Sequence, residues 1–203
     1  MLLSELITEL QYRGEDDRAN SRYPEEQKIN AINSAYYTLL SIISDKDLSK
    51  FKLTKTDLDL VIDPDSGFLY KRISDNAPLR IANGRDRRNN RECKIVNKDE
   101  LFSSSPNYKY GTLVSLCKNY QYGLDFTTIY ATPISASRVI IWHVQEVEGM
   151  GTGSEFPIFD TLKPVLLGIA ESELWRADND SGRAKEAYAE AINILQAQEG
   201  KWR

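Results

Sequence analysis

The residue types that ordinarily carry catalysis are sparse in this chain and poorly spaced for it. His143 is the one histidine and lies inside an apolar run, while Cys93 and Cys117 stand far apart with no CxxC spacing. A nucleophile needs a base beside it, usually histidine, so triad chemistry and a zinc site are both unexpected. Two acidic stretches, Asp63-Pro-Asp65-Ser-Gly67 and Asp178-Asn-Asp180-Ser-Gly182, look briefly like calcium loops. Their glycine comes fifth rather than sixth and the twelfth residues are Ser74 and Ala189, so turn and helix-cap roles fit them better. Gly149, Gly151 and Gly153 sit where a dinucleotide fingerprint would, but counted from Gly151 the third fingerprint position would be Phe156, and no βαβ pattern surrounds it. The trio reads as a hinge. No carboxylate pair stands in a hydrolytic motif. The expectation is a chain without catalytic residues, metal or cofactor.

Five arginines, Arg80, Arg85, Arg87, Arg88 and Arg91, collect in one polar stretch with Asn89 and Asn90. Three readings of this stretch stay open: a solvated loop, contact with an acidic protein neighbour, and contact with DNA phosphates. The net charge is −4, so any affinity for nucleic acid has to be local. Tyr108, Tyr110, Tyr120, Tyr122 and Tyr130 lie among strand formers, which favours core and subunit packing over base stacking. At 41% apolar and 28% charged residues the composition is that of a folded globular chain. No apolar run approaches the ~20 residues of a membrane helix, and Glu5 and Glu9 break the signal-peptide pattern of Met1 to Leu10, which suggests a cytosolic origin.

The positioning elements follow from periodicity. Leu3, Leu6, Ile7 and Leu10 predict a first helix, with a polar loop over 14–21. A second helix starts near Pro24, where proline and Glu25 and Glu26 suit a first turn, and runs through Ile29, Ile32, Tyr36, Leu39 and Ile43. Strands are expected near 58–62, 68–73, 112–118, 124–130 and 138–147, with a helical turn over Lys98–Phe102. From Asp160 or Thr161, Leu162, Val165, Leu166, Ile169 and Leu174 mark a further helix. Asp178 to Gly182 breaks it, and Ala184, Ala187, Tyr188, Ala191 and Leu195 mark the last. The expectation is one α+β domain over 1–203, its N- and C-terminal helices packed as a small bundle with an inserted antiparallel β region. Its parts are 1–44 helical, 45–148 β with a long loop at 75–92, 149–156 a hinge, 157–199 a helical hairpin and 200–203 a tail. In the last strand Val139, Ile141 and His143 face one way and Ile140, Trp142 and Val144 the other. Both faces are apolar, so Ile140, Trp142 and Val144 are candidates for subunit packing.

Three segments carry a resemblance. They are Leu3-Ser-Glu-Leu-Ile-Thr-Glu-Leu, Tyr23-Pro-Glu-Glu-Gln-Lys-Ile-Asn-Ala-Ile-Asn-Ser-Ala-Tyr, and Pro157-Ile-Phe-Asp-Thr-Leu-Lys-Pro-Val-Leu-Leu-Gly-Ile-Ala-Glu-Ser-Glu-Leu-Trp. In order and patterning, with Tyr188 and Leu195 in the final helix, the chain resembles the head-to-tail connector, or adaptor, proteins of tailed phages. The arginine stretch and the Tyr-rich middle depart from that pattern. The resemblance implies a homo-oligomeric ring of about twelve copies in the virion neck, assembled in the host cytoplasm. Such a ring docks on the portal protein, lengthens the channel through which DNA passes without sequence-specific binding, and presents a platform to the next tail or stopper component. It implies no catalysis and no membrane. The portal contact carried over is the C-terminal tail, here Gln196, Gln198, Lys201, Trp202 and Arg203. A tail ending Gly200-Lys-Trp-Arg is too polar to be core and leaves one aromatic for a partner. The alternatives are another neck protein, a stopper or tail-completion subunit with a mostly β core, and a small DNA-binding regulator. Glu25, Glu26 and the acidic balance weigh against the last.

Overall fold

A computed structural model describes residues 1–13, 22–73, 78–121, 124–147 and 149–199. In chain order the helices are α1 Leu3–Arg13, α2 Glu25–Ile42, α3 Lys98–Ser103, α4 Lys163–Ala177 and α5 Ser181–Glu199. The strands are β1 Thr54–Asp59, β2 Val61–Ile62, β3 Leu69–Ile73, β4 Pro78–Asp86, β5 Arg91–Ile95, β6 Thr112–Gln121, β7 Leu124–Thr132 and β8 Arg138–Gln145. They form two compact units. One is Met1–Phe51 with Val147–Arg203, and the other is Lys52–Glu146.

In the helical unit the apolar stripes of the two chain ends bury one another. α4 packs against α2 on one side and α5 on the other, and α1 touches both α2 and α4. Since α4 is flanked this way, it buries Val165, Leu166, Leu167, Ile169, Ala170 and Leu174 rather than a single narrow stripe. Its crossing with α5 is close because Gly168 meets Ala191: a Cβ at 168 would lie 2.9 Å from the Cβ of Ala191. Tyr36 sits at the centre, edge-on to Phe51 at 5.6 Å and Phe156 at 5.4 Å. Burial pushes its hydroxyl pKa up.

The stretch read as a hinge runs, from Gly151 onward, along the start of the chain. Leu3 N–H donates to the Ser154 carbonyl and Ser4 N–H to that of Thr152, Leu2 bridges Glu155, and Phe156 is fully buried. The turn between α4 and α5 puts Asn179 at φ 60 and uses Asp180 as a cap, accepting from Arg183 N–H at 3.0 Å. Beside it Tyr23 donates to Asp178 at 2.5 Å, and Arg22 pairs with the same carboxylate. Here an apparent calcium loop is a helix boundary. The other, at Asp63, is a turn in which the carboxylate accepts from Ser66 Oγ at 2.5 Å and Gly67 takes φ 74.

The β unit corrects the expected architecture. The class is mixed α+β, but the β region is one eight-stranded sheet in the order β1-β8-β4-β5-β6-β7-β3-β2, and it is not wholly antiparallel, since β5 and β6 pair parallel. Its end strands β1 and β2 are separated in the chain by Leu60 alone, so the sheet curls until its edges nearly meet as a barrel. Leu58, Leu60, Leu69, Ile81, Val114, Ile129, Val139 and Ile141 fill the interior. His143 is buried on the same face of β8, with Nε2 2.9 Å from Thr56 Oγ1. The expected helical turn is α3, capped by Asn97, whose side chain accepts from Glu100 N–H at 2.8 Å.

Of the long loop expected at 75–92, residues 75–77 lie outside the described residues, and from Pro78 onward the segment is instead a β-hairpin, with β4 and β5 joined by a turn over Arg87–Asn90. The reason is visible in the register. β4 buries Leu79 and Ile81, then Gly84 and Asp86, and an irregularity between Ile81 and Asn83 switches the buried face. The alternation is thus broken in the sequence although each half obeys it. β1 was missed over 54–57 for a related reason: its partly buried positions there, Thr54 and Thr56, are polar.

Gly168→Val should therefore destabilise the helical unit by about 1–3 kcal/mol, read as a lower midpoint in denaturant, whereas Gly182→Ala at the exposed start of α5 should change it little. Burial lowers the His143 pKa below its usual 6.5. The unfolded chain then takes up a proton that the folded chain refuses, so stability is fully present above about pH 6.5 and falls as the pH drops toward the lowered folded value. His143→Gln should flatten that part of the stability profile in urea titrations between pH 7.5 and 5.

Candidate functional site

The arginine turn is organised by a carboxylate that its sequence context conceals. Asp86, at the end of β4, is 1% exposed. Its oxygens accept from Arg88 N–H at 2.9 Å, from Asn89 Nδ2 at 3.1 Å and from Thr112 Oγ1 of β6 at 2.9 Å. A buried carboxylate survives only with such partners, and these fix the turn to the strand across from it. Behind it, Gly84 lets β4 approach β5, since a Cβ there would lie 3.2 Å from Cys93 Cβ. Burial, with the Asp86 charge adding to it, pushes the Cys93 thiol up to about 12, so this sulfur is a packing group. Burial also raises the pKa of Cys117.

Two shallow clefts flank the turn and share Ser135. One, of about 540 Å³, is lined by Arg87, Arg88, Ser135, Ser137 and Arg138. The other, of about 530 Å³, lies between Asp86, Asn89, Arg91 and Glu92 on one side and Asn107 to Thr112 with Pro133 to Ser135 on the other. In the second, Tyr110 is 90% exposed and edge-on to Tyr108 at 5.7 Å. Arg87 pairs with Asp57 at 2.5 Å and Arg138 with Asp59 at 2.9 Å. Both acids lie on β1 beside β8. Arg88 reaches the Ser135 carbonyl at 3.4 Å, and Arg85 reaches Asn90 at 3.4 Å. The rim thus combines guanidinium groups, carboxylates, hydroxyls and one bare aromatic, a set whose guanidinium groups can take a carboxylate or phosphate.

The five arginines do not form one cluster. Arg85, Arg87, Arg88 and Arg91 belong to the turn and its strand ends, while Arg80 lies opposite Val144, seven residues up β4 from Arg87 and roughly 20 Å away. The nominated packing face also divides. Ile140 and Trp142 are partly exposed, but Val144 is fully buried within its own chain and offers nothing to a neighbour. In the nominated tail, Gln196 is exposed on α5 and Gln198 donates to the Thr161 carbonyl at 2.8 Å, so α5 continues helical through the start of that segment. Lys201, Trp202 and Arg203 lie outside the described residues, as do Tyr122 and the loop residues 14–21. Sequence reasoning missed Asp57, Asp59, Lys109, Ser135, Ser137 and Arg138, which the register brings to the hairpin from three other segments. No local pattern marks them.

A scan against protein-family models finds no match for this chain, and a search of curated proteins finds no similar one.

Asp86→Ala should lower stability by about 2–3 kcal/mol, because three donors lose their acceptor, and should raise hydrogen exchange over 86–92 and at Thr112. Arg87→Ala, which breaks an exposed pair, should cost under about 1 kcal/mol. Equal losses for the two in denaturant titrations would contradict the organising role of Asp86.

Proposed function

We propose that the chain is a structural ring subunit of a tailed-phage neck, the head-to-tail connector that docks on the portal, extends the DNA channel and carries the next tail component. The observation that carries this reading is the order and pairing of elements. Two opening helices and a closing helical hairpin, remote in sequence, form one packed unit interrupted by a separately folded β unit between Phe51 and Val147. That is the bundle-with-insert arrangement implied by the resemblance, with a larger insert. The partners are further copies of the chain, the portal and a downstream tail or stopper protein, with DNA passing through the ring. The size of the eight-stranded sheet favours one second reading, a stopper or tail-completion subunit, whose core is mostly β. A DNA-binding regulator is less well supported, because Asp57 and Asp59 already hold two of the rim's guanidinium groups.

Mass photometry of the purified chain, alone and mixed with rings of its own portal protein, tests the reading. Closed oligomers of about twelve copies, or stoichiometric addition to the portal ring, are expected. A monomer that never joins portal rings would exclude the connector role, and addition only to preassembled connector would identify the stopper. Deleting Gly200 to Arg203 should leave the melting midpoint unchanged. Trp202→Ala should weaken portal association by about 1–3 kcal/mol.

A further inference from the structure

The charge of the chain is divided between its units. Lys52–Glu146 holds 14 of the 26 Lys and Arg and 11 of the 30 Asp and Glu, a formal +3, so with a total of −4 the helical unit carries −7. Much of the acid in the helical unit is engaged, with Glu173 on Arg176 and Asp178 on Arg22. Glu25 and Glu26 at the start of α2 are exposed and outside such pairs, and so are Glu186 and Glu190. The latter two lie one turn apart on α5, and neither meets a cation among the described residues. Carboxylates at that spacing repel, which makes the face a ready acceptor of positive charge. At the rim of the β unit Arg88, Arg91 and Lys109 are likewise exposed, and none has a carboxylate within ion-pair distance among the described residues.

We infer that this rim docks on the Glu186 and Glu190 face of α5 in a second copy of the chain, an inference that rests on the ring reading above. Guanidinium groups take carboxylates in paired hydrogen bonds, and both surfaces are held ready, one by the Asp86 turn and the other by a helix. The two surfaces differ, so each copy offers one of each and the contact repeats head to tail, the kind of interface that builds a ring when the rotation between copies closes. A phosphate backbone fits the rim less well. Asp57, Asp59 and Glu92 are exposed within it and would face successive phosphates.

The test uses the full chain and two double variants, Arg88→Glu with Arg91→Glu and Glu186→Lys with Glu190→Lys. All four positions are exposed, so both variants should melt as the wild type does. Each alone should associate at least about tenfold more weakly by light scattering at low salt, because like charges then face one another. Mixing the two should restore assembly, in particles where the variants alternate, since each reversed surface meets its complement. Salt at 1 M should weaken the wild-type assembly. If the wild type forms rings, alone or on the portal, and both variants do so equally well, or if the mixture stays dissociated, the docking assignment is wrong while the ring reading stands. If the wild type never associates, the ring reading itself fails. If the arginine variant assembles normally but loses binding to a labelled oligonucleotide, the rim belongs to nucleic acid and the inference is overturned.

Discussion

Only Leu60 stands between the two ends of the eight-strand order, and that short connection governs the β unit. β1 pairs with β8 and, one residue later, β2 pairs with β3. What would be the two open edges of a twisted sheet are thereby spanned by nearly continuous chain, so few backbone donors and acceptors are left to recruit a stranger. Closure also fixes which side chains point inward. Leu58 and Leu60 join Leu69 from one side and Val139 and Ile141 from the other, and the interior is filled by aliphatic groups. The arginine turn inherits its position from this curvature, because Asp86 can reach Thr112 only when β4 and β6 are brought to either side of β5.

The helices were legible because each buries a face long enough for its period to show. The stripes Leu3 to Leu10 and Ile29 to Ile43 are plain in the sequence, and so is the alanine series of α5. Strands β4 and β1 were hidden for separate reasons. The bulge near Ala82 moves the inward set of β4 from odd to even positions, so no single alternation runs through Leu79 to Asp86, and five arginines gave the stretch the look of a loop. In the first half of β1 the inward places are held by Thr54 and Thr56, which satisfy the β propensity of a strand without announcing a core. The site was less legible still. Arg85 to Arg91 could be read from composition, but the residue that orders them is an aspartate, and its most distant partner, Thr112, comes from a different strand. Val144 shows the converse error: alternation placed it on the outward face of β8, whereas at the bulged end of β4 it is enclosed.

Electrostatics divides the molecule along the same line as the packing. Each unit holds its own apolar core, and the sign of the charge changes from one to the other. Net charge of opposite sign on separate surfaces does little for the stability of either unit, since most of these groups are exposed and screened. In the proposed ring it would bias how copies meet, because encounter is steered by the field of whole surfaces before any contact forms.

The discontinuity of the helical unit bears on the order in which the protein is made. α1 and α2 leave the ribosome first, yet the helix they pack against, α4, is among the last segments synthesised. The whole β unit intervenes; its local pairs β2–β3, β4–β5 and β6–β7 can form early in translation, while β1, β3 and β4 wait for β7 and β8. Through that interval the inward faces of α1 and α2, with Leu6, Leu10, Ile32 and Leu39, have no permanent cover. Until α4 arrives the nascent chain therefore exposes apolar surface of the kind that holdase chaperones cover. Synthesis halted before Lys163 should yield a folded β unit tethered to an open, aggregation-prone helical pair.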